Sequence, residues 1–321
     1  RLIAIKLTDK YGVPVNNEPV VFRSALGGGY IDTADAATDI YGIAAAIPIL
    51  GAQIGEQQFT ATAGGLTVDF FGAASVRPAI YSNGIVNAAS GRIDQGLAPG
   101  SYVSIYGQAL SPSFLAFDSL GIGYLPLSLA NVSVSFDVPD RGISLPGRLH
   151  FFSSGQVNVQ VPWELEGLNS VKVKVSIGDI SSAVYDMPLA RNSPGFFEYP
   201  LNTGTPAALV SRDQQYSVIT TANPARKGEV VELYCNGLGP VNDPPPTGEV
   251  TPADFLRRTR DTVTVTISGR PATVEFSGLT PYSAGLYQVN VEIPDDAGTG
   301  NQPLVMSVNG VTAKTVNLPV Q

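Results

Sequence analysis

Apolar and polar residues alternate with a period of two through most of this chain, and that alternation leaves little room for helix. It runs through LIAIKLTD (residues 2–9), QQFTATAGGLTVDFFG (57–72), SYVSIYG (101–107), NVSVSFDV (131–138) and SVKVKVSIG (170–178). A helix would repeat its apolar residues every three or four positions, so period two predicts strands with one face toward a core. Turn signals such as Gly12-Val13-Pro14, Pro99-Gly100, Pro139-Asp140, Asn236-Gly237 and Asn309-Gly310 separate the runs. Spread through the chain at sandwich-like spacing, they predict an all-β protein of short strands and tight turns.

Two halves of the chain repeat one another. QVNVQVPWEL (156–165) returns 132 residues later as QVNVEIPDDA (288–297). In the same order, APGSYVSIYGQALS (98–111) matches RKGEVVELYCNGLG (226–239), NVSVSF (131–136) matches TVTVTI (262–267), and SIGDISSAVYDMPLA (176–190) matches SVNGVTAKTVNLPVQ (307–321). Ordered anchors at a nearly constant offset identify a duplicated unit of about 130 residues. The copies are expected at 79–196 and 197–321, with a separate domain at 1–77 and short Pro-containing linkers between. In QVNVQVP the valines Val157, Val159 and Val161 alternate with amides, and Pro162 removes a donor and stops the strand. Val289, Val291, Ile293 and Pro294 repeat that arrangement, which marks an element of fold and not an active site.

The first 77 residues carry a different pattern, LTDKYGVPV (7–15) followed by TDIYGIAAA (38–46) and a closing hairpin. On Asp9, Gly12, Pro14 and Val15, then Thr38, Asp39, Gly42 and Ala44, this segment resembles the bacterial Ig-like domain of the invasin and intimin type. Gly12 and Gly42 suit turns with positive φ, and Asp9 and Asp39 can cap those turns through nearby backbone N–H groups. Residues from about 80 to 321 resemble a carboxy-terminal region of large secreted acidobacterial proteins, through VNAAS (86–90), LAPGSYVSIYG (97–107), QVNVQVPWEL, YCNGLGP (234–240) and GLYQVNVEIP (285–294). The APG-x-x-V-x-I-x-G phrase is also similar to the start of TIG modules. These resemblances imply tandem Ig-like β-sandwich domains on a secreted bacterial protein, and they supply no catalytic site.

Charge and composition narrow the function classes. Charged residues make up 14%, against roughly 25% in soluble globular proteins, and the net charge of −8 repels a phosphate backbone. Nucleic acid is therefore not an expected partner. Cys235 is the only cysteine, which excludes an internal disulfide and a cysteine-based zinc site. No run of 18 apolar residues could cross a bilayer as a helix. The strand-like start at Arg1, with no signal-peptide layout, leads us to expect a longer precursor.

Candidate chemistry is sparse. His150, the one histidine, lies in the alternating RLHFFS with no G-x-S-x-G elbow, so a serine triad is not expected. Asp32, Asp35 and Asp39 match no calcium loop and read as turn caps. Glu164 and Glu166, two apart, would share one face of a strand instead of facing each other across a cleft. The triplet 27–29, GGG, lacks the Lys-Ser/Thr of a phosphate loop. Cys235 reads as a buried small hydrophobe. The aromatics Trp163, Tyr287, Phe196 and Phe197 could stack on sugar rings, but their positions after or within strands favour packing in the core or at domain junctions; Trp163 and Tyr287 are the candidate ligand or interface contacts. No catalytic residue, metal ligand or cofactor is expected.

What remains is a non-enzymatic, extracellular structural protein that associates with copies of itself, as in a fibre or surface layer. Neutral surface resists association less than charged surface does, and the terminal strands offer pairing edges. The alternative is an adhesin or carbohydrate-binding module that attaches a cell or enzyme to a surface or polysaccharide.

Overall fold

The computed structural model describes residues 2–53, 55–74, 76–116 and 123–321. The chain is all-β, with tandem Ig-like sandwiches and only short 3-10 turns between strands. Among the described residues no helix is long and apolar enough to cross a membrane. It separates into two compact units, Arg1–Val76 and Arg77–Gln321.

The first unit stacks two three-stranded antiparallel sheets. β1 (Ile3–Lys6), β4 (Ile43–Ile49) and β3 (Tyr30–Ala34) form one, in the order β1-β4-β3. β2 (Val20–Leu26), β5 (Gly55–Ala63) and β6 (Leu66–Ala74) form the other, in the order β2-β5-β6. The alternating stretch at 57–72 forms the closing hairpin: Gly64 and Gly65 take positive φ and turn β5 into β6. The resemblance motifs are two copies of one turn. Asp9 Oδ1 accepts the N–H groups of Tyr11 and Val13 at 2.9 Å, and Asp39 Oδ1 accepts those of Tyr41 and Ile43 at 2.8 Å. Each carboxylate satisfies two donors that the tight bend would otherwise leave unpaired.

The core of this unit is built on small residues. Ala44, Ala46, Ala61 and Ala63 are buried with Val20 and Phe22, while Ile43, Ile47 and Ile49 of β4 point outward. Register explains it: Ile5 lies opposite Ala44 and Lys6 opposite Ile43, so the even-numbered alanines of β4 share the inner face and its isoleucines the outer one. Period two is present, but the larger hydrophobes lie on the solvent side.

In the second unit the duplicated phrases become the same strand twice. Gln156–Gln160 runs antiparallel to Tyr102–Gln108 with Gln156 opposite Tyr106 and Val159 opposite Val103. Tyr287–Glu292 runs antiparallel to Val230–Asn236 with Gln288 opposite Tyr234 and Val291 opposite Val231. Val157, Val159 and Val161 are fully buried in one cluster, and Val289, Val291 and Ile293 in another. The polar face is preserved as well: Gln156 Nε2 donates to Asn158 Oδ1 at 2.8 Å, and Gln288 Nε2 to Asn290 Oδ1 at 2.8 Å.

Each half also has a strand that passes from one layer to the other. Arg270–Leu279 pairs through its start with Val263–Ile267 and through its remainder with Tyr287–Glu292, bulging between Val274 and Phe276. The corresponding stretch of the first half is broken in two. Ile143–Pro146 pairs with Val132–Val138, and Arg148–Phe152 pairs with Gln156–Gln160. Gly147 sits at the break, where a Cβ would run into Val159 and Phe136.

Candidate functional site

The residues with the most elaborate surroundings lie where the two halves of the second unit meet. Asn236, fully buried, ends the strand Val230–Asn236 and reaches the first half. Its Oδ1 accepts the Tyr102 N–H at 2.9 Å, and its Nδ2 donates to the Tyr102 carbonyl at 2.8 Å and to Asn87 Oδ1 at 3.1 Å. Asn87 Nδ2 donates to the Ser193 carbonyl at 2.7 Å, which fixes the segment joining the halves. Tyr102 donates its hydroxyl to the Ala284 carbonyl at 2.5 Å, and burial holds its phenol above the usual range. Gln160 bridges in the same way, its Oε1 accepting from Gly248 N–H at 2.8 Å and its Nε2 donating to the Gly100 carbonyl at 3.0 Å. Such a web of satisfied buried amides specifies one orientation, because any slip would leave several of them unpaired.

Trp163 is the apolar centre of this junction. It follows Pro162 in the 3-10 turn Trp163–Leu165, belongs to the first half by sequence, and packs into the buried cluster of the second. The ring edge lies against Gly100, whose φ of +81° and missing Cβ make room for it. The Trp163 N–H donates to Thr247 Oγ1 at 2.9 Å, and the Thr247 hydroxyl donates to Glu164 at 2.8 Å. Trp163 is 8% exposed, and its Nε1 is enclosed with no acceptor in range among the described residues.

A cleft of about 260 Å³ opens beside this ring. Pro99, Trp163, Leu168, Leu189 and Pro240 give it apolar walls, and Glu166, Asn169 and Arg191 add polar groups. Arg191 grips Asp261 with two nitrogens, at 2.8 and 3.0 Å, and stands 3.6 Å from Glu166, which Arg260 approaches at 3.4 Å. Burial pushes the Asp261 carboxyl up, but hydrogen bonds from Arg191, Asn192 and Asn309 outweigh it and leave the group below its usual range. That brace therefore stabilises the fold at neutral pH and is lost as the pH falls through the depressed value.

The other expected residues are placed as follows. Tyr287 is inside the core, fully buried, with its hydroxyl donating to the Gly239 carbonyl at 2.5 Å and burial raising its phenol, so its contacts are internal. Glu164 and Glu166 lie on the 3-10 turn and at its cap, not on a strand, and one meets Thr247 while the other faces Arg191 and Arg260. His150 is exposed on the strand Arg148–Phe152, edge-on to Tyr102 with ring centres 5.3 Å apart. Asp35 Oδ2 accepts the Ala45 N–H at 2.8 Å, and Asp39 is the turn cap described above. Phe196 is buried, and Gly27 and Gly28 form a turn with positive φ. Asn87, Tyr102, Gln160, Asn236, Asn169 and Arg191 were not singled out as site residues from sequence, Asn236 being read only as part of a turn. A signal existed for some of them. Where the first copy has Tyr102, Gln160 and Trp163, the second has Val230, Glu292 and Asp295, and those departures mark the face that one copy buries and the other does not.

Cys235 is fully buried beneath this junction, and desolvation pushes its thiol far above the usual range. Native protein should show no reaction with an aromatic disulfide reagent over an hour at pH 8, and one thiol per chain should appear in guanidinium chloride. Stoichiometric labelling of the folded protein would contradict this burial.

No protein-family model matches the chain, and no curated protein matches it. Among solved structures, several multidomain proteins are similar to this chain at low identity. A Bacteroides ovatus mixed-linkage glucan utilization locus protein, SGBP-B, in complex with a mixed-linkage heptasaccharide is 10% identical, with a TM-score of 0.28, over 100% of this chain and 63% of that one. Domains 4–9 of the surface layer protein SbsC are 16% identical, with a TM-score of 0.24, over 98% of this chain and 41% of theirs. Invasin, a bacterial integrin-binding protein, is 14% identical, with a TM-score of 0.20, over 99% of this chain and 56% of its own. The chain thus spans between two fifths and two thirds of these proteins' lengths. At such values the likeness carries no argument about function.

Proposed function

We propose that this is a non-enzymatic, extracellular bacterial structural protein that associates with copies of itself through its first unit. The observation that carries the reading is the outer face of the sheet β1-β4-β3. Leu2, Tyr30, Ile43, Ile47 and Ile49 are all between 37% and 65% exposed there, around Ala4 and Ala45, with Lys6 at one end and Asp35 beside Ala45. Contiguous apolar surface of this kind on a sheet is a contact surface. Among the described residues β6 is an edge paired with β5 alone, in an unbroken nine-residue register, with Leu66, Val68 and Phe71 exposed. The exterior location is what the resemblance of residues 80–321 to secreted acidobacterial proteins implies, and the low charge leaves neutral surface free to associate. In the same reading, residues 79–196 and 197–321 are the duplicated domains, and their braced junction serves as a stiff support.

Sedimentation velocity and electron microscopy across a range of concentrations test this. Wild-type protein should form concentration-dependent oligomers, and Ile43→Lys with Ile47→Lys should return it to monomer without altering its circular dichroism. Dispersed wild-type monomers at high concentration would end the proposal. A second reading, as an adhesive module that recognises a glycan, is favoured by the Trp163 cleft.

A further inference from the structure

The cleft beside Trp163 has features that a junction alone does not require. It is lined from four separate stretches, at Pro99, at 163–169, at 189–191 and at Pro240, so it belongs to both halves of the duplicated unit. Ligand pockets favour such boundaries. Its volume of about 260 Å³ is just under the usual range of roughly 300–1,000 Å³, which suits one small ring rather than an oligomer.

We propose that this cleft holds one neutral pyranose ring, a terminal or branch unit of a glycan, an inference that rests on the adhesive reading above. Three observations lead to that class. First, Trp163, Pro99 and Pro240 supply an apolar wall of the kind on which the C–H face of a sugar ring rests. Second, Glu166, Asn169 and Arg191 place an acceptor, an amide that both donates and accepts, and a donor around the same space. Sugar hydroxyls each donate and accept, and adjacent ones can pair with a carboxylate and a guanidinium at once. Glu166 stands 3.6 Å from Arg191 and 3.4 Å from Arg260, both beyond a strong charge-assisted bond, which leaves its oxygens capacity for a ligand. An aliphatic peptide side chain would cover these groups and leave them unanswered.

Third, charge selects a neutral sugar. Glu166 and Asp261 balance Arg191 and Arg260 at the rim, so no net positive field draws a uronic acid or a sulfated ring. The chain as a whole carries −8 and repels polyanions.

Trp163 is the only tryptophan in the chain, so its fluorescence reports on this cleft directly. The full chain should be titrated with glucose, galactose, mannose, xylose and N-acetylglucosamine, following Trp163 emission and saturation-transfer NMR. At least one should give a saturable change, with a dissociation constant on the order of millimolar for a ring of this size. Asn169→Ala and Glu166→Gln should each weaken that binding at least tenfold with circular dichroism unchanged, since both positions lie outside the buried clusters. Absence of saturation by both methods for all five sugars overturns the proposal. So does binding that neither substitution weakens. Parallel pull-down on insoluble polysaccharides separates the two readings. Retention that survives Asn169→Ala and Glu166→Gln would remove the cleft assignment and leave the adhesive reading standing, whereas no retention by any polysaccharide would remove the adhesive reading itself.

Discussion

Replacing Gly100 by valine should lower the melting temperature of the second unit by on the order of 10 °C and shift Trp163 emission to longer wavelength. Two separate costs combine. The residue has φ of +81°, a left-handed conformation that costs an L-residue about 1–2 kcal/mol and a β-branched one more. Its Cβ would also occupy the space of the Trp163 six-membered ring, so the indole must leave the second half's core or the halves must separate. Overpacking of that kind costs about 1–3 kcal/mol, and together the two give about 2–5 kcal/mol. Gly142 provides the control, because its φ of +66° is similar but a Cβ there meets nothing within 4 Å. Gly142→Val should show the backbone cost alone and leave the fluorescence unchanged. Equal losses at the two glycines would mean that the contact with Trp163 is not what Gly100 serves.

The strands, the duplication and the turn caps were legible because each rests on local chemistry. Val157, Val159 and Val161 need only the period-two rule to find the core, and Asp9 and Asp39 need only a bend with free N–H groups. The junction was less legible, since its partners lie far apart in sequence. Nothing near Asn236 signals that its amide meets the backbone of Tyr102, 134 positions away. What could be read was contrast. The two copies agree at Gly100 and Gly228 but part at Trp163 and Asp295, and the drift after the shared proline is the point where one copy acquires a neighbour. Tyr287 sits where packing in the core is expected of an aromatic in a strand, and the fold adds the partner of its hydroxyl, the Gly239 carbonyl. Side-chain size misled in the first unit. Alternation identifies two faces without saying which is inside, and β4 buries its alanines because its strand register with β1 sets the isoleucines outward.

Asn236→Ala should cost about 2–4 kcal/mol and act mainly on one backbone group. The Tyr102 carbonyl keeps a second donor, the Ala88 N–H at 3.2 Å, and Asn87 Oδ1 keeps the N–H groups of Ala89 and Ser90. The Tyr102 N–H has no such reserve: it donates to Asn236 Oδ1 and would be left buried and unpaired. Hydrogen exchange at Tyr102 should therefore accelerate far more than at Val103 or Ile105, which are held by the strand Gln156–Gln160. Asn236→Asp separates acceptor from donor. Its carboxylate can still accept from Tyr102 but faces the Tyr102 carbonyl and Asn87 Oδ1 with no proton to offer, so at neutral pH it should be no more stable than alanine. Lowering the pH should favour Asp over Ala, because protonation restores one donor. If both variants melted like wild type with Tyr102 still protected, the orientation of the halves would have to come from apolar packing around Trp163 alone, and the amide network would be incidental to it.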